Sequence, residues 1–546
     1  MVANVMLDAS LMSVFVDYFL FPLLLGIFLS FVIELFQVPH TQPVWRRPWS
    51  AICLHIGGWI FFFCFELLLF QRPWFALGNV LAWHLLLIVV NNAKYHAMRE
   101  PFLFYDFEYF LDALRHPRLY LPFLGVGRAL LAVCGLVLVI VLGRVVEASI
   151  LAFVSTSQWR WMLIALLIAG LLMLVVGYTF IGRNMPVSLN PKPDYVRLGL
   201  IGFIWYYAKL HFAYPKLKHA QNVSRKSAKL FRWAKKTNTL VMKSHFQKVD
   251  DYDQLPDIIV VQSESFFDPR SLFTCVEPSV LGEFDEVCRD SVFCGALQVP
   301  AWGANTIRTE AAFLTGLGAD ALGVNQFSPY RYFLRHPKQT IAHQLQSLGY
   351  TTVCVHPYPA SFYQRDKLYP QMGFDHFVDI TAFKDEDKVG QYTSDAAVTE
   401  QVRELLGGSS SPMFIYVITM ENHGPLHLEA PEVDDKERFY LEQQPEGCDD
   451  LTVYLKHLKN ASSMSKVLRD LLKQRPNGGL LCWYGDHVPI MSNVYSRLGG
   501  PNGDTCYFIW SSDQAKKVQR VPRQVSELST ELLSQLTKMR KKRTQA

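Results

Sequence analysis

The apolar residues of this chain fall into two regions with different patterns. In the first region, apolar runs of about 20 residues follow one another, and each is long enough to cross a bilayer. They predict five membrane helices, at residues 11–36, 50–70, 74–92, 124–143 and 161–182. We therefore expect residues 1–182 to form a multi-pass α-helical membrane domain.

The second region has the pattern of a different fold class. Between residues 251 and 515, short β-branched and aromatic runs alternate with helical stretches. This alternation predicts an α/β domain with a largely parallel central sheet. The remaining residues, 516–546, are expected to form a C-terminal helix and a basic tail.

The segment that joins the two regions is basic. Residues 183–250 contain 14 Lys and Arg, and Asp194 is the single acid before residue 250. A basic segment after a membrane helix is typical of an interface with anionic lipid headgroups, and no nucleic-acid-binding module accompanies it. Within it, residues 198–209 are apolar and aromatic, which predicts a short helix in the membrane surface.

Charged residues near the predicted membrane helices have two explanations, because a charge inside a bilayer is costly. Snorkelling towards the interface is the favoured explanation for Glu34 and Arg128. Asp17 and Glu66 are weaker candidates for contact with a lipid headgroup. The formal net charge of +5 is mild, and the ten cysteines match no zinc-binding spacing, so neither fixes a partner or a redox compartment.

Residues that can carry chemistry follow four of the predicted strands. Glu264 follows the run that starts at residue 257, and His356 follows residues 351–355. His423 comes after residues 414–420, and Asp486 with His487 ends the run from residue 480. Ligands of open α/β sheets bind beyond the carboxyl ends of the strands, so we expect these residues to share one site.

A further candidate lies in the stretch 300–316, where a Gly-containing loop leads into a helix. Thr306 falls in the first turn of that helix, and a helix start suits a bound phosphate. The hydroxyl group of Thr306 can either cap the helix or act as a nucleophile. Glu264, Asp486 and His487 are ligand types for Mn²⁺, Mg²⁺ or Zn²⁺, and a metal that also bound Thr306 would favour its alkoxide.

Two further residue types suit a phosphate-containing substrate. Arg365, in the sequence FYQRD, can clamp a phosphate through two hydrogen bonds. Either His423 or His356 can protonate a leaving oxygen, although each can equally be a hydrogen-bonded loop histidine. The residues themselves leave this choice open.

Five motifs resemble a known family: VVQSESF, GANTIRTE, VHPYPASFYQRD, ITMENHGP and WYGDHVP. In order and content they resemble the lipoteichoic acid synthase and phosphoglycerol transferase branch of the sulfatase/alkaline phosphatase superfamily, from residue 255 to residue 512. The resemblance implies that Glu264, Thr306, Asp486 and His487 form the metal site, with Thr306 as the nucleophile. It also implies that His356, Arg365 and His423 bind substrate.

The chain departs from that family directly after the nucleophile, at Ile307-Arg308-Thr309. Arg308 is expected to add a phosphate contact, or else the loop serves another donor. The chain lacks the C/S-x-P-x-R motif that sulfatases require, so hydrolysis of sulfate esters is disfavoured.

The resemblance implies a transferase that moves glycerol phosphate from phosphatidylglycerol to a glycan or glycerol-phosphate acceptor. Mn²⁺ is the expected metal, with Mg²⁺ or Zn²⁺ as alternatives. A phosphoethanolamine transferase or phosphodiesterase is the alternative enzyme. A non-catalytic membrane sensor or scaffold is the alternative of another class, which the complete ligand set disfavours.

The resemblance places the catalytic domain outside the bacterial cytoplasmic membrane, but the loop charges disagree. With five helices, the loops on the side of the catalytic domain carry nine Lys and Arg, against three on the other side. The positive-inside rule would therefore place that domain in the cytoplasm. We expect the outside location, because one miscounted helix reverses the charge argument.

Overall fold

The structure is a computed structural model that describes residues 16–109, 126–183, 185, 187–220, 255–513 and 517–544. The chain divides into two compact units, residues 1–220 and residues 221–546. The predicted linker is thus split, since residues 183–220 belong to the first unit and residues 221–250 lie outside the described part.

The first unit is helical, as its apolar runs predict. Its helices are α1 (Phe21–Ile33), α2 (Trp49–Phe70), α3 (Pro73–Met98), α4 (Val126–Val146), α5 (Thr156–Phe180) and α6 (Pro191–Ala220). Helices α1 to α5 lie at the five predicted positions, except that residues 11–15 and 124–125 are outside the described part. Within the described residues, α2, α3 and α5 are long and apolar enough to cross a membrane.

Helices α2 and α5 approach each other closely because small residues face each other. A Cβ atom added to Gly57 of α2 would lie 2.9 Å from the carbonyl oxygen of Gly170 in α5. Small residues at a helix contact allow this approach, which membrane helices use where burial from water gives no driving force.

The favoured explanation for Glu34 is wrong. Its side chain is buried, and its Oε2 accepts a hydrogen bond of 2.5 Å from Nη1 of Arg47. Nδ1 of His55 lies 3.5 Å from the other carboxylate oxygen. Glu34 is therefore an interior residue that pairs with an arginine from the following loop. The side chain of Arg128 lies outside the described part.

The helix predicted at residues 198–209 is part of the longer helix α6, which bends at Gly199, where φ is 71°. Helix α6 packs against α2, and Tyr206 and Tyr207 are buried in this unit. Tyr206 and Tyr207 therefore serve packing within the helical unit, whereas Trp205 is exposed.

The second unit contains a large mixed sheet. Its strands are β1 (Asp257–Ser263), β2 (Phe293–Gln298), β3 (Thr351–Val355), β4 (His376–Val378), β7 (Met413–Ile418), β8 (Gly479–Gly485), β9 (Thr505–Ser511), β10 (Gln519–Arg520) and β11 (Arg523–Gln524). Strands β5 (Lys388–Val389) and β6 (Tyr392–Thr393) form a separate hairpin. The strand order is β10-β2-β9-β8-β1-β7-β3-β4, and β11 also pairs with β2.

The sheet is largely parallel, as predicted. Strands β8, β1, β7, β3 and β4 run parallel, whereas β9 is antiparallel to both of its neighbours. All residues of β1, β7 and β8 are buried, which explains their nearly continuous apolar sequences.

Eleven described helices surround the sheet: α7 (Gly282–Arg289), α8 (Thr306–Thr315), α9 (Ala319–Leu322), α10 (Pro329–Arg335), α11 (Ile341–Gln346), α12 (Arg365–Gln371), α13 (Asp395–Gly407), α14 (Val433–Arg438), α15 (Asp449–Gln474), α16 (Ser492–Leu498) and α17 (Val525–Thr544). The long helix α15 contributes Leu455 and Leu458 to the core that Val261 and Trp483 form in the sheet.

The residues after 515 complete this unit. Strands β10 and β11 extend the sheet beside β2, and α17 packs against α8. Leu528, Leu532 and Leu536 of α17 are buried, so the predicted C-terminal helix is part of the α/β fold. All ten cysteines have free thiols.

Candidate active site

The strand order places the four predicted strand ends side by side. Strands β8, β1, β7 and β3 are consecutive neighbours in the sheet, and all four are parallel. Ser263, the last residue of β1, pairs with Gly485, the last residue of β8. The residues that follow these strands therefore meet at one edge of the sheet, where the sequence predicted a shared site.

Glu264, Asp486 and His487 form a compact buried cluster. One ligand atom from each lies within 4.8 Å of the others. Nε2 of His487 is 3.3 Å from Oδ2 of Asp486 and 3.6 Å from Oε1 of Glu264. All three side chains are at most 3% exposed.

Hydrogen bonds orient each of these groups towards the centre of the cluster. The backbone amides of Ser265 and His487 both donate to Oδ1 of Asp486, at 2.9 and 2.8 Å. Oδ2 of Asp486 is buried and accepts no hydrogen bond from the described residues. Nδ1 of His487 faces the carbonyl oxygen of Val488 at 3.1 Å, so Nδ1 carries the hydrogen and the Nε2 lone pair is available as a ligand.

This donor set fits a divalent cation. Two carboxylates and one imidazole are ligands for Mn²⁺, Mg²⁺ or Zn²⁺, and an orphaned buried carboxylate oxygen is what a cation would satisfy. Without a cation, a carboxyl group of the cluster holds its proton more tightly than it would in water. Burial, together with the charge of Asp486, raises the pKa of Glu264 to about 8.

Helix α8 brings Thr306 to this edge of the sheet. The helix begins at Thr306, which is half-buried, and the preceding Asn305 adopts a left-handed conformation with φ of 67°. One turn later, the hydroxyl group of Thr309 donates a hydrogen bond of 2.8 Å to the carbonyl oxygen of Asp486. The first turn of α8 is thereby fixed next to Asp486, which is itself a candidate ligand and is followed by His487.

In the second unit, the described non-glycine residues with positive φ all lie in the motifs of this site. Ser265, Asn305, Tyr363 and Gln364 all have positive φ angles between 53° and 67° although none is glycine. Non-glycine residues rarely adopt this conformation, and it persists where the surrounding structure imposes it. Each of these residues lies in one of the five sequence motifs.

A buried polar network that the sequence analysis missed is centred on Glu310 of α8. Glu310 is 0% exposed and receives hydrogen bonds from Arg365, Tyr330 and Tyr369. Arg365 donates from both Nε and Nη2 to this carboxylate, and its Nη1 lies 3.3 Å from Nε2 of His356. Two of the Arg365 N–H groups that could clamp a phosphate therefore already bind Glu310.

The two candidate histidines have different surroundings. His356 is 2% exposed, and its Nδ1 donates to the carbonyl oxygen of Ile418 at 3.1 Å while its Nε2 accepts from Arg365. Nδ1 of His423 donates to the carbonyl oxygen of Gly424 at 2.6 Å, and no described group binds its Nε2. Burial lowers the pKa of both histidines.

Arg308 is buried, and its guanidinium carbon lies 5.4 Å from the centre of the Phe327 ring. Its expected contact with phosphate stays a prediction. The structure therefore brings the candidate ligands, His423 and the start of α8 to one edge, and places Arg308 in an aromatic contact.

The sequence carried a partial signal for the residues that were missed. Thr309 and Glu310 lie in the motif GANTIRTE, one turn after Thr306 along the predicted helix. A Glu in a helix interior among apolar residues indicates a buried partner, but that partner, Arg365, is 55 positions away. Only the folded chain could identify it.

A comparison with protein families finds one match to more than half of the chain. The family described as Sulfatase matches residues 256–538. This range includes every strand of the sheet and all of the candidate site residues.

Curated relatives extend the comparison. A protein of Rhizobium meliloti named for cyclic beta-1,2-glucan modification is 28% identical over 270 residues, which cover 49% of this chain and 41% of the relative. A capsular polysaccharide biosynthesis protein of the same organism, RkpI, is 24% identical over 84% of this chain and 80% of its own length. Lipoteichoic acid synthase 1 of Bacillus subtilis is 26% identical over 27% of this chain and 23% of its own length.

Proposed function

Because the chain belongs to the sulfatase family, we propose that it is a metal-dependent membrane phosphotransferase that uses Thr306 as its nucleophile. One observation carries this proposal: a buried cluster of two carboxylates and one imidazole lies beside the helix that begins with Thr306. The candidate nucleophile is Thr306, and the chain lacks the C/S-x-P-x-R motif that sulfatases require. Phosphate esters are therefore favoured over sulfate esters as substrates.

Glu264, Asp486 and His487 would hold the cation, with the hydroxyl group of Thr306 as a fourth ligand. When bound, a divalent cation makes a hydroxyl group more acidic and offsets negative charge on a phosphoryl group. The start of α8 would also stabilise negative charge on a phosphoryl group. The first backbone N–H groups of α8 would face a bound phosphate and add the positive end of the helix dipole.

In the proposed reaction, the oxygen of Thr306 forms a bond to the phosphorus of a phospholipid, and the bond from phosphorus to the diacylglycerol oxygen breaks. The hydroxyl proton of Thr306 ends on the diacylglycerol oxygen. An acceptor hydroxyl group then attacks the phosphothreonine, and its proton returns to Thr306. Both half-reactions need one group that accepts and releases a proton.

His423 suits this shuttle better than His356 does. Nε2 of His423 is free of described partners, whereas both nitrogens of His356 are engaged with Ile418 and Arg365. Burial lowers the pKa of His423, so the imidazole is neutral at neutral pH and can accept the proton of an acceptor hydroxyl group. Arg365 would then bind the phosphate or the headgroup through its remaining N–H groups, oriented by Glu310 and His356.

The proposed donor is phosphatidylglycerol, and the proposed acceptor is a glycan or a glycerol-phosphate chain. The names of the relatives support this choice, since they concern glucan modification, capsular polysaccharide and lipoteichoic acid. The apolar helices of the first unit would keep the enzyme in the membrane that holds the donor. We propose that the catalytic domain lies outside the bacterial cytoplasmic membrane, where such polymers are found.

The test is mass spectrometry of the full-length protein incubated with Mn²⁺ and phosphatidylglycerol in mixed micelles. We expect a phosphoglycerol adduct on Thr306 that is absent in Thr306→Ala. Phosphatidylethanolamine is tested in parallel, because an adduct from that lipid alone would identify a phosphoethanolamine transferase. Lack of any adduct, with diacylglycerol release unchanged in Thr306→Ala, would contradict the use of this nucleophile.

A further inference from the structure

His457 has no role in the chemistry described so far, yet it is fully buried behind the loop that carries His423. It lies on the long helix α15 and is 0% exposed. Its Nδ1 is 2.6 Å from the carbonyl oxygen of Glu421, and its Nε2 is 3.0 Å from Oε2 of Glu429. These two partners lie on either side of His423 in the connection between β7 and α14, and we call the segment from Glu421 to Glu429 the loop 421–429.

The partners determine the protonation state of this imidazole. A carbonyl oxygen only accepts hydrogen bonds, and so does an ionised carboxylate. Both ring nitrogens must therefore donate, which makes His457 an imidazolium. Burial opposes this charge, but the hydrogen bond to Glu429 and the negative charges of Glu421 and Glu429 outweigh it and raise the pKa of His457.

A second residue of α15 reinforces the contact at the start of the loop. Nδ2 of Asn460, one turn after His457, donates to Oε1 of Glu421 at 2.6 Å. The other carboxylate oxygen of Glu421 accepts from the backbone amide of Asp395 at 2.6 Å. Glu421, Glu429 and Asp395 are the acidic groups of this cluster among the described residues, and burial raises the pKa of both Glu421 and Asp395.

The opposite side of the loop packs against the hairpin of β5 and β6. The ring of Tyr392 lies 5.1 Å from that of His423, and a Cβ atom on Gly390 would collide with the carboxylate of Glu429. The loop is therefore held between this hairpin and α15. On the side of α15, the imidazolium is the group that joins both ends.

We propose that His457 is a positioning residue, which holds the loop 421–429 at both ends and so fixes His423 at the site. Its effect on catalysis rests on the proposed function, whereas the tether itself does not. The tether is complete below the ordinary histidine pKa of about 6.5 and is lost as the pH rises through the raised value.

The experiment compares full-length wild type with His457→Gln, Glu429→Gln and the control Thr452→Val. The side chain introduced by His457→Gln can donate to only one of the two partners. Glu429→Gln replaces an obligate acceptor with an amide, which can accept from the imidazolium or donate to Nε2 of the neutral imidazole, so the tether no longer depends on pH. Thr452 lies on the same helix and hydrogen-bonds Tyr440, away from the loop, so its variant measures the general effect of losing a buried hydrogen bond in α15.

The first measurement is deuterium uptake by peptides that cover residues 421–429, with micelles and without substrate. We expect faster uptake in His457→Gln at each pH at which wild type keeps the tether. Wild type should lose this protection as the pH rises through the raised pKa of His457, whereas Glu429→Gln should keep it. Uptake equal to wild type in both variants would overturn the proposal, whether or not the protein is an active transferase.

The second measurement is the pH dependence of the transfer reaction. We expect kcat to fall about 100-fold in His457→Gln, the size of effect that a displaced catalytic group gives. In Glu429→Gln the alkaline limb of kcat should be lost, with a near-normal rate in acid, because the amide binds either protonation state of the imidazole. A pH profile in Glu429→Gln identical to wild type would reject positioning through the imidazolium. Lack of turnover by wild type would reject the proposed function and leave the uptake result to decide on the tether.

Discussion

The side chain of Thr309 donates a hydrogen bond of 2.8 Å to the main-chain carbonyl oxygen of Asp486. Both residues are buried, at 0% exposure. The bond joins α8, which begins with Thr306, to the turn after β8, which carries Asp486 and His487. The proposed nucleophile and two of the proposed metal ligands are therefore held by one short connection.

Replacing this hydroxyl group should impair catalysis more than stability. In Thr309→Val we expect kcat to fall about 100-fold, because a small displacement of a reacting group has effects of this size. The free energy of unfolding should fall by only about 1 kcal/mol, the usual net contribution of one hydrogen bond. Transfer kinetics and urea unfolding measure the two effects separately.

The matched control is Thr315→Val at the other end of α8. The hydroxyl group of Thr315 donates to the carbonyl oxygen of Ala311 within the helix itself. We expect its kcat to stay within a few-fold of wild type. Equal losses of kcat in the two variants would show that the connection to Asp486 has no special role.

Cation binding should depend on pH through Glu264. Because its pKa in the cation-free protein is raised to about 8, the folded state binds a proton that the unfolded state releases near its ordinary value. The cation-free protein should thus lose stability as the pH rises between these values. A cation replaces that proton, so Mn²⁺ should raise Tm more at about pH 9 than at about pH 6.

The measurement is thermal unfolding with EDTA or with Mn²⁺ at both pH values. In Glu264→Gln the group that titrates is removed, and the added stability from Mn²⁺ should be smaller and nearly independent of pH. Stabilisation by Mn²⁺ that is equal at both pH values in wild type would contradict the assignment of Glu264 as a ligand.

The buried pair of Glu310 and Arg365 should be costly to break. Removing one partner leaves an uncompensated buried charge, so Glu310→Ala should lower the free energy of unfolding by about 3–5 kcal/mol. The double variant Glu310→Met with Arg365→Met leaves no buried charge and should be less destabilised. Urea unfolding of the three proteins tests this order, and a double variant that is less stable than the single one would contradict it.

The two histidines should differ in the pH dependence of the reaction. The lowered pKa of His423 keeps it neutral down to a pH below the ordinary value of about 6.5, so the acid limb of the rate should lie below that value. In His423→Gln this acid limb should disappear, together with most of kcat. In His356→Gln the limb should remain and KM should rise. If the acid limb is lost in His356→Gln and kept in His423→Gln, then His356 is the proton shuttle and His423 is not.

The location of the catalytic domain is tested by labelling. Glu404 lies exposed on α13 in the second unit. In Glu404→Cys, a membrane-impermeant maleimide should label intact cells or spheroplasts, because we propose that this domain lies outside. Wild type serves as the control for native thiols. Labelling of Glu404→Cys only after lysis would support the cytoplasmic side that the loop charges favour.

The class of each region could be predicted from the order of residues alone. Long apolar runs predicted the five helical positions, because a bilayer requires about 20 apolar residues and leaves little other choice. Short buried runs that each end in an acid or a histidine predicted a parallel sheet and the edge at which the site lies. Patterns local in the chain carried this information, because parallel strands bring their carboxyl ends, and the residues after them, to the same edge of the sheet.

The partners of these residues became clear only in the folded chain. The sequence offered His356 and His423 as equals, and contacts with Ile418 and Arg365 separate them. It favoured snorkelling for Glu34, and the structure pairs this residue with Arg47 in the interior. It gave no role to His457, whose two partners close a loop from a distant helix. Such roles depend on which acceptors surround a buried polar group, and those acceptors come from segments that only folding brings together.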